Sequence, residues 1–246
     1  MKPSDILKKS IGSSSLGGLI LRRWRGLPSP RWGNVRRLAP FSKIFGFDRG
    51  QSIDRYYIED FLKRHEMDVR GTVLEIGDPG YTSRFGGDRV THFDVLHVSP
   101  DNPRATIVGD LATGKGIPVA AFDCMIITQT YQMIYDVRSA VSWSYSAMKP
   151  SGILLATLPG ISQISRFDMD RWGDYWRFTD VSARRLFGDV FGEENVKIET
   201  YGNVLTAVAF LHGLSAEELR QKELSYRDPD YQLIITVRAV KHEATP

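Results

Sequence analysis

From residue 52 onward, short apolar runs alternate with longer stretches of helical periodicity. In residues 52–66 the apolar positions Ile53, Tyr56, Tyr57 and Phe61 fall at helical spacing, and Ser52 supplies a cap. Five short runs then read as buried parallel strands: Val73–Ile76, Val90–Val95, Ala105–Val108, Phe122–Thr128 and Ile153–Leu158. A helix is predicted over Val137–Met148, stopped by Lys149-Pro150-Ser151-Gly152. A second covers Val181–Phe191, with Thr179 or Asp180 as its cap. Strands Val196–Thr200 and Gln232–Val240 bring the total to seven. Strands separated by helix-length segments imply an α/β fold: a mostly parallel sheet with helices on both faces. Ligands of such sheets sit at the carboxyl ends of the strands, so function is sought in the loops that follow them.

Composition narrows this picture. At 246 residues the chain suits one larger α/β domain, or one domain with appendages. Its 42% hydrophobic and 25% charged residues are ordinary for a globular protein. A single cysteine, Cys124, excludes an intramolecular disulfide framework and a cysteine-based zinc site, which points to a reducing, cytoplasmic compartment. No apolar run approaches the roughly 20 residues of a membrane-spanning helix. Lys8 and Lys9 followed by Ile11–Leu21 imitate a signal peptide only faintly, because Gly and Ser break the run and Arg22, Arg23 and Arg25 follow it.

Charge divides the chain unevenly. Residues 1–43 hold ten Lys or Arg against Asp5 alone, a net +9, so the remainder carries 22 basic and 28 acidic residues, a net −6. Residues 1–50 are therefore read as a basic, Gly-, Ser- and Pro-rich arm, and residues 51–246 as the folded domain. With Trp24 and Trp32, the arm suits contact with a membrane surface, a carrier lipid or a phosphorylated substrate. A solvated or partner-packed extension is the plainer reading, and we prefer it. No nucleic-acid-binding signature is present, and oligomeric state is not legible.

The loop after the first strand discriminates between cofactors. Val73-Leu74-Glu75-Ile76-Gly77-Asp78-Pro79-Gly80-Tyr81 runs from strand into a glycine-containing turn, and Asp94 follows Glu75 by nineteen positions, placed to accept hydrogen bonds from a ribose. A dinucleotide needs backbone N–H donors for its pyrophosphate, but Pro79 removes one and Asp78 adds negative charge. S-adenosylmethionine carries an ammonium and a sulfonium instead, which an acidic loop suits.

In these elements the stretch from about Arg70 to Gly160 resembles the class I S-adenosylmethionine-dependent methyltransferases. Glu75-Ile76-Gly77 matches the first motif and Asp94 the second-strand acid. Asp110 in Gly109-Asp110-Leu111 matches the acid that faces the adenine, and Phe122–Gln129 matches the fourth strand with its polar exit. Lys149-Pro150-Ser151-Gly152 followed by Ile153-Leu154-Leu155 matches the turn and fifth strand. Order and spacing over about ninety residues make the match specific. The resemblance implies a Rossmann-like, doubly wound sheet with S-adenosylmethionine held by Glu75, Gly77, Asp78, Tyr81, Asp94, Val95, Asp110, Leu111 and Thr128. It departs at Pro79 and Tyr81, which replace the later glycines of the turn, and at Gln132-Met133, which replaces a frequent Glu-His pair.

The acceptor side is sought in an insertion at about 160–180. There Gly173–Thr179 is similar to a segment of small methyltransferases linked to sugar and glycan modification. Asp168, Trp172, Tyr175 and Arg177 are expected to bind the acceptor, since aromatic faces suit sugar C–H surfaces and the charged groups suit its hydroxyls; packing is the equal alternative. Asp174, Asp170, His212 or Asp168 could serve as the catalytic base, and the sequence does not say which. Asp168 and Asp170 together imitate a metal pair but lack a third ligand, so no metal is expected. Gly109–Gly116 imitates a phosphate loop without its hydroxyl residue and is read as a surface turn. Cys124 is read as inert core, His65 and His242 as solvated, and His97 as a loop residue with an adenosine-pocket position as the alternative. The expected activity is O-methylation of a sugar hydroxyl. A methyltransferase acting on a non-sugar molecule, and a non-catalytic binding or scaffold protein of the same fold, are the alternatives.

Overall fold

The computed structural model describes residues 33–242; Lys8, Lys9, Ile11–Leu21, Trp24 and Trp32 lie outside the described residues. The chain divides into two units, residues 1–39 and 40–246. In the first, a 3-10 turn at Gly33–Val35 is described. In the second, seven strands form one sheet in the order β3-β2-β1-β4-β5-β7-β6. They are β1 (Gly71–Ile76), β2 (Val90–His97), β3 (Ile107–Val108), β4 (Phe122–Thr128), β5 (Met148–Pro159), β6 (Val196–Tyr201) and β7 (Ile234–Val240). Strands β1 to β5 pair in parallel, and β7 runs antiparallel to both β5 and β6. The helices are α1 (Ile53–Arg64), α2 (Gly80–Gly86), α3 (Val137–Ala147), α4 (Arg166–Met169), α5 (Asp180–Phe191), α6 (Val204–Leu211) and α7 (Gln221–Ser225).

Alternation along the strands builds two cores. Leu74, Met125, Ile127 and Leu154 point to the face covered by α3 and α5, through Ala140, Val141, Ala183 and Phe187. Val73, Cys124, Ile126 and Leu155 point to the opposite face, covered by α1 and α6 through Ile53, Tyr57, Phe61 and Phe210. Burial pushes the Cys124 thiol up, as befits a core residue. Thr179 is the cap of α5: its hydroxyl accepts from the Ser182 amide, and the Ser182 hydroxyl accepts from the Thr179 amide.

Several boundaries differ from the sequence expectation. The turn Lys149–Gly152 belongs to β5, whose start is bent at Ser151 with φ +60°, and β3 shortens to Ile107–Val108. Residues 40–50 are tied to the chain after α6. The amides of Phe41 and Ser42 donate to the His212 carbonyl, and Arg49 pairs with Glu218. Among the described residues, no helix is long and apolar enough to cross a membrane.

Candidate active site

Strand order reverses between β1 and β4, and at the carboxyl ends of these strands a cavity of about 720 Å³ opens. Its floor is the β1–α2 turn. Gly77 turns the chain at φ +83°, and a side chain there would point into open space, so this glycine both permits the turn and keeps the cavity clear. The Asp78 carboxylate accepts from the Gly80 amide, which holds the turn as the chain enters α2. Glu75, the last inward side chain of β1, is buried and accepts the amides of Tyr81 and Thr82 at 3.0 and 2.7 Å. Burial pushes its carboxyl above the ordinary glutamate value despite these bonds. No cation lies within ion-pair distance of it among the described residues.

The cavity brings together Glu75, Gly77, Asp78, Tyr81, Asp110, Leu111 and Thr128 with Asp168, Trp172 and Tyr175 from the expected acceptor side. Asp110 also holds its own turn, accepting from the Ala112 amide and the Thr113 hydroxyl. Gln129 at the end of β4 lines the wall with φ +47°, a backbone conformation that non-glycine residues rarely adopt. Its amide donates to the Thr157 carbonyl and its side chain to the Thr157 hydroxyl.

Several expected residues lie elsewhere. Asp94 is not on the cavity wall: it pairs with Leu74 in register, short of the strand end, and its carboxylate accepts from the Thr106 hydroxyl at 2.7 Å. Val95 packs in the core. His97, at the end of β2, lines the cavity and meets Trp172 edge-on. Asp170 is exposed beside Arg166. His212 follows α6 and packs on Phe41, and it lines neither this cavity nor the next.

Asp174 and Arg177 line a smaller chamber of about 130 Å³ instead. Arg55, Gln129, Met133 and Asp168 line both spaces, so the chamber adjoins the larger cavity. Asp174 is engaged twice by Arg177 and accepts the Ser165 amide. Burial acts to raise its carboxyl, but the guanidinium holds it below the ordinary aspartate value, which makes it a poor base. The segment around it is fixed to the sheet edge. Tyr175 donates its amide to the Gln132 carbonyl, and Trp176 donates its indole N–H to the Ile134 carbonyl. Trp176 and Phe178 are thus packing residues, while Trp172 and Tyr175 face the cavity.

Sequence reasoning missed Asp54, Arg55 and the pocket role of Gln132. Arg55 donates to the Tyr81 hydroxyl and spans the rings of Phe47 and Tyr81, with no carboxylate in ion-pair contact. Burial raises the Asp54 carboxyl, although the Ser52 hydroxyl and the Arg55 charge act to lower it. Gln132 is buried in the chamber wall, and its Oε1 has no hydrogen-bond partner. The first two look like ordinary polar residues of a helix first turn, and no local signal marks them.

No protein-family model matches the chain, and no curated protein matches it. Solved structures do. A SAM-dependent methyltransferase from Archaeoglobus fulgidus aligns at 16% identity and TM-score 0.51, covering 76% of this chain and 94% of its own. The N-methyltransferase NodS from Bradyrhizobium japonicum, in complex with S-adenosyl-L-homocysteine, aligns at 11% identity and TM-score 0.51, covering 82% and 94%. Phosphoethanolamine N-methyltransferase 2 from Haemonchus contortus, in complex with S-adenosyl-L-methionine, aligns at 14% identity and TM-score 0.51, covering 96% and 60%. The chain therefore has the fold of the class I S-adenosylmethionine-dependent methyltransferases.

Proposed function

We propose that the protein binds S-adenosylmethionine in the larger cavity and methylates a hydroxyl of a sugar-containing acceptor seated in the smaller chamber. The observation that carries the first half is a complementary pair of charges without partners. Glu75 is a buried carboxylate met by two amides and the Thr82 hydroxyl but by no cation among the described residues, and Arg55 is a guanidinium whose hydrogen-bonded neighbour is a tyrosine hydroxyl. Together on one cavity wall they fit a ligand end that carries both an ammonium and a carboxylate. The volume of about 720 Å³ suits a nucleoside-sized molecule, and the open side of Gly77 lets it approach the backbone. Glu75 and Asp78 would hold the ammonium, Arg55 the carboxylate, and Asp110, Leu111 and His97 the nucleoside.

When bound, the cofactor supplies an activated methyl group on a sulfonium. The protein then has to align the acceptor and take up a proton, alignment being worth up to about 7–11 kcal/mol in well-oriented cases. Asp168 borders both spaces and is the proton acceptor by position, in place of Asp170, Asp174 and His212. The polar lining of the chamber (Asp54, Gln132, Gln163, Asp168) and the Gln132 oxygen, unpartnered among the described residues, support a hydroxyl-rich acceptor, and Trp172 and Tyr175 offer flat faces to any part of it that reaches into the larger cavity. In this reading residues 160–180 form the acceptor side of the catalytic domain, and residues 40–50, expected as part of the basic arm, belong to that domain, since Phe45 and Phe47 line the chamber.

Calorimetry with S-adenosylhomocysteine tests the cofactor, and a transfer screen over glycosides, phenols and amines tests the acceptor. Asp168→Asn should lower transfer by roughly a hundredfold with cofactor affinity unchanged. Methylation of amines or phenols alone would remove the sugar. Absence of cofactor binding would favour the non-catalytic alternative.

A further inference from the structure

Among the described residues, nothing covers the outer face of helix α6. Val204, Leu205, Val208 and Leu211 are between 39% and 52% exposed, while Thr206, Ala207, Ala209 and Phe210 face the core. No charged residue interrupts the helix. Such contiguous apolar exposure marks a contact surface rather than scattered surface hydrophobicity.

A segment with exposed apolar side chains of its own packs at the end of the helix. Phe41 and Ser42 donate their amides to the His212 carbonyl, and the ring of Phe45 lies 5.8 Å from that of Phe210. On this segment Ile44 and Phe47 are 55% and 52% exposed. Lys43, beside them, is exposed and makes no ion pair among the described residues.

Charge selects the occupant. Residues 1–43 carry a net +9 and lead directly into this segment. A second copy docking here would bring like charges together, whereas an anionic bilayer neutralises them while accepting the apolar side chains. We propose that the outer face of α6, with Lys43, Ile44 and Phe47, is a peripheral docking surface for an anionic lipid bilayer. The helix would lie in the plane of the headgroups with its four apolar side chains inward. Phe45, Phe47 and Phe210 also line the smaller chamber, so docking would set that wall against the bilayer. This last consequence rests on the acceptor reading above; the docking itself does not.

The test is co-sedimentation of the full chain, without cofactor, with phosphatidylcholine vesicles and with vesicles that also contain phosphatidylglycerol. Binding to the anionic vesicles, weakened by salt, is expected. The double substitution Leu205→Ser with Val208→Ser should lower partitioning by roughly tenfold. Both side chains are exposed, so its melting temperature should stay near that of the parent. If it falls, a Val208→Cys variant carrying an environment-sensitive dye gives a second readout, and a blue shift on anionic vesicles is expected. Absence of vesicle binding, equal binding by the double variant with its fold intact, or no dye shift would overturn the proposal. A dimer seen by light scattering and abolished by the double variant would assign the face to a second copy instead.

Discussion

Glu75 and Asp174 face the same problem and meet it differently. Glu75 is 4% exposed at the end of β1, and the side chain of Asp174 is likewise 4% exposed at the edge of the smaller chamber. Burial raises the proton affinity of both. Around Asp174 the fold supplies a guanidinium, Arg177, and the carboxyl drops below its ordinary value. Around Glu75 it supplies only two amides and a hydroxyl, and the carboxyl stays above its ordinary value. A buried carboxylate with its own cation is a structural anchor, and one without a cation is left to meet a cationic ligand. The two carboxylates therefore differ in whether the fold itself supplies a cation.

The largest effect that can break this comparison is on cofactor affinity. Glu75→Ala should weaken S-adenosylhomocysteine by about a hundredfold, roughly 3 kcal/mol, through loss of a buried charge partner. Asp174→Ala should leave that affinity within about threefold, because Arg177 and Asp174 line only the smaller chamber. Equal losses in calorimetry would erase the distinction.

Next in size is stability. Asp174→Asn should cost about 2 kcal/mol in urea unfolding, since it weakens a charge-assisted pair whose arginine is itself partly exposed. A double-mutant cycle with Arg177→Gln should show that the two losses are not additive.

The pH dependences should have opposite signs. Asp174 has a depressed folded value, so its contribution is present above the ordinary aspartate value and is lost as pH falls through the folded one. Glu75 has a raised folded value, so in the ligand-free protein its contribution is present below 4.5 and is lost as pH rises through the raised value. Unfolding curves of Asp174→Asn and Glu75→Gln between about pH 3 and 7 should each lack one slope. A cationic ligand end needs Glu75 ionised, so cofactor affinity should fall as pH drops through that same raised value.

The smallest expected effect sharpens the boundary of the site. Asp94→Ala should change cofactor affinity by no more than about twofold, because its carboxylate lies off the cavity wall between the Thr106 hydroxyl and His92, whereas His97→Ala should weaken it by roughly fivefold. A severe loss for Asp94→Ala would restore the ribose contact that its spacing from Glu75 suggests.

Much of this molecule is legible in the order of its side chains. Leu74, Met125, Ile127 and Leu154 alternate with Val73, Cys124, Ile126 and Leu155, and strands buried on both faces follow from that pattern. The turn at Gly77, the acid at Glu75 and the cap at Thr179 are likewise local, because each depends on residues within a few positions. Asp94 shows where local reading stops. Its distance from Glu75 is a fact of sequence, but its place short of the strand end depends on the register of β2 against β1. The pairing of Asp174 is not legible locally for a related reason. Nothing local says that Arg177 turns back to engage it twice while Ser165 donates from nine residues away. Asp54 and Arg55 sit in the first turn of α1, ahead of every motif, and reach the cavity only because α1 packs across the sheet beside Tyr81. Hydrophobic periodicity determined the sheet, its layers and the place of the turn after β1, because burial of alternate side chains is written residue by residue. Only the tertiary structure decided which polar groups face the cavity and which carboxylates remain without a cation, because those depend on register and on helices brought together from distant parts of the chain.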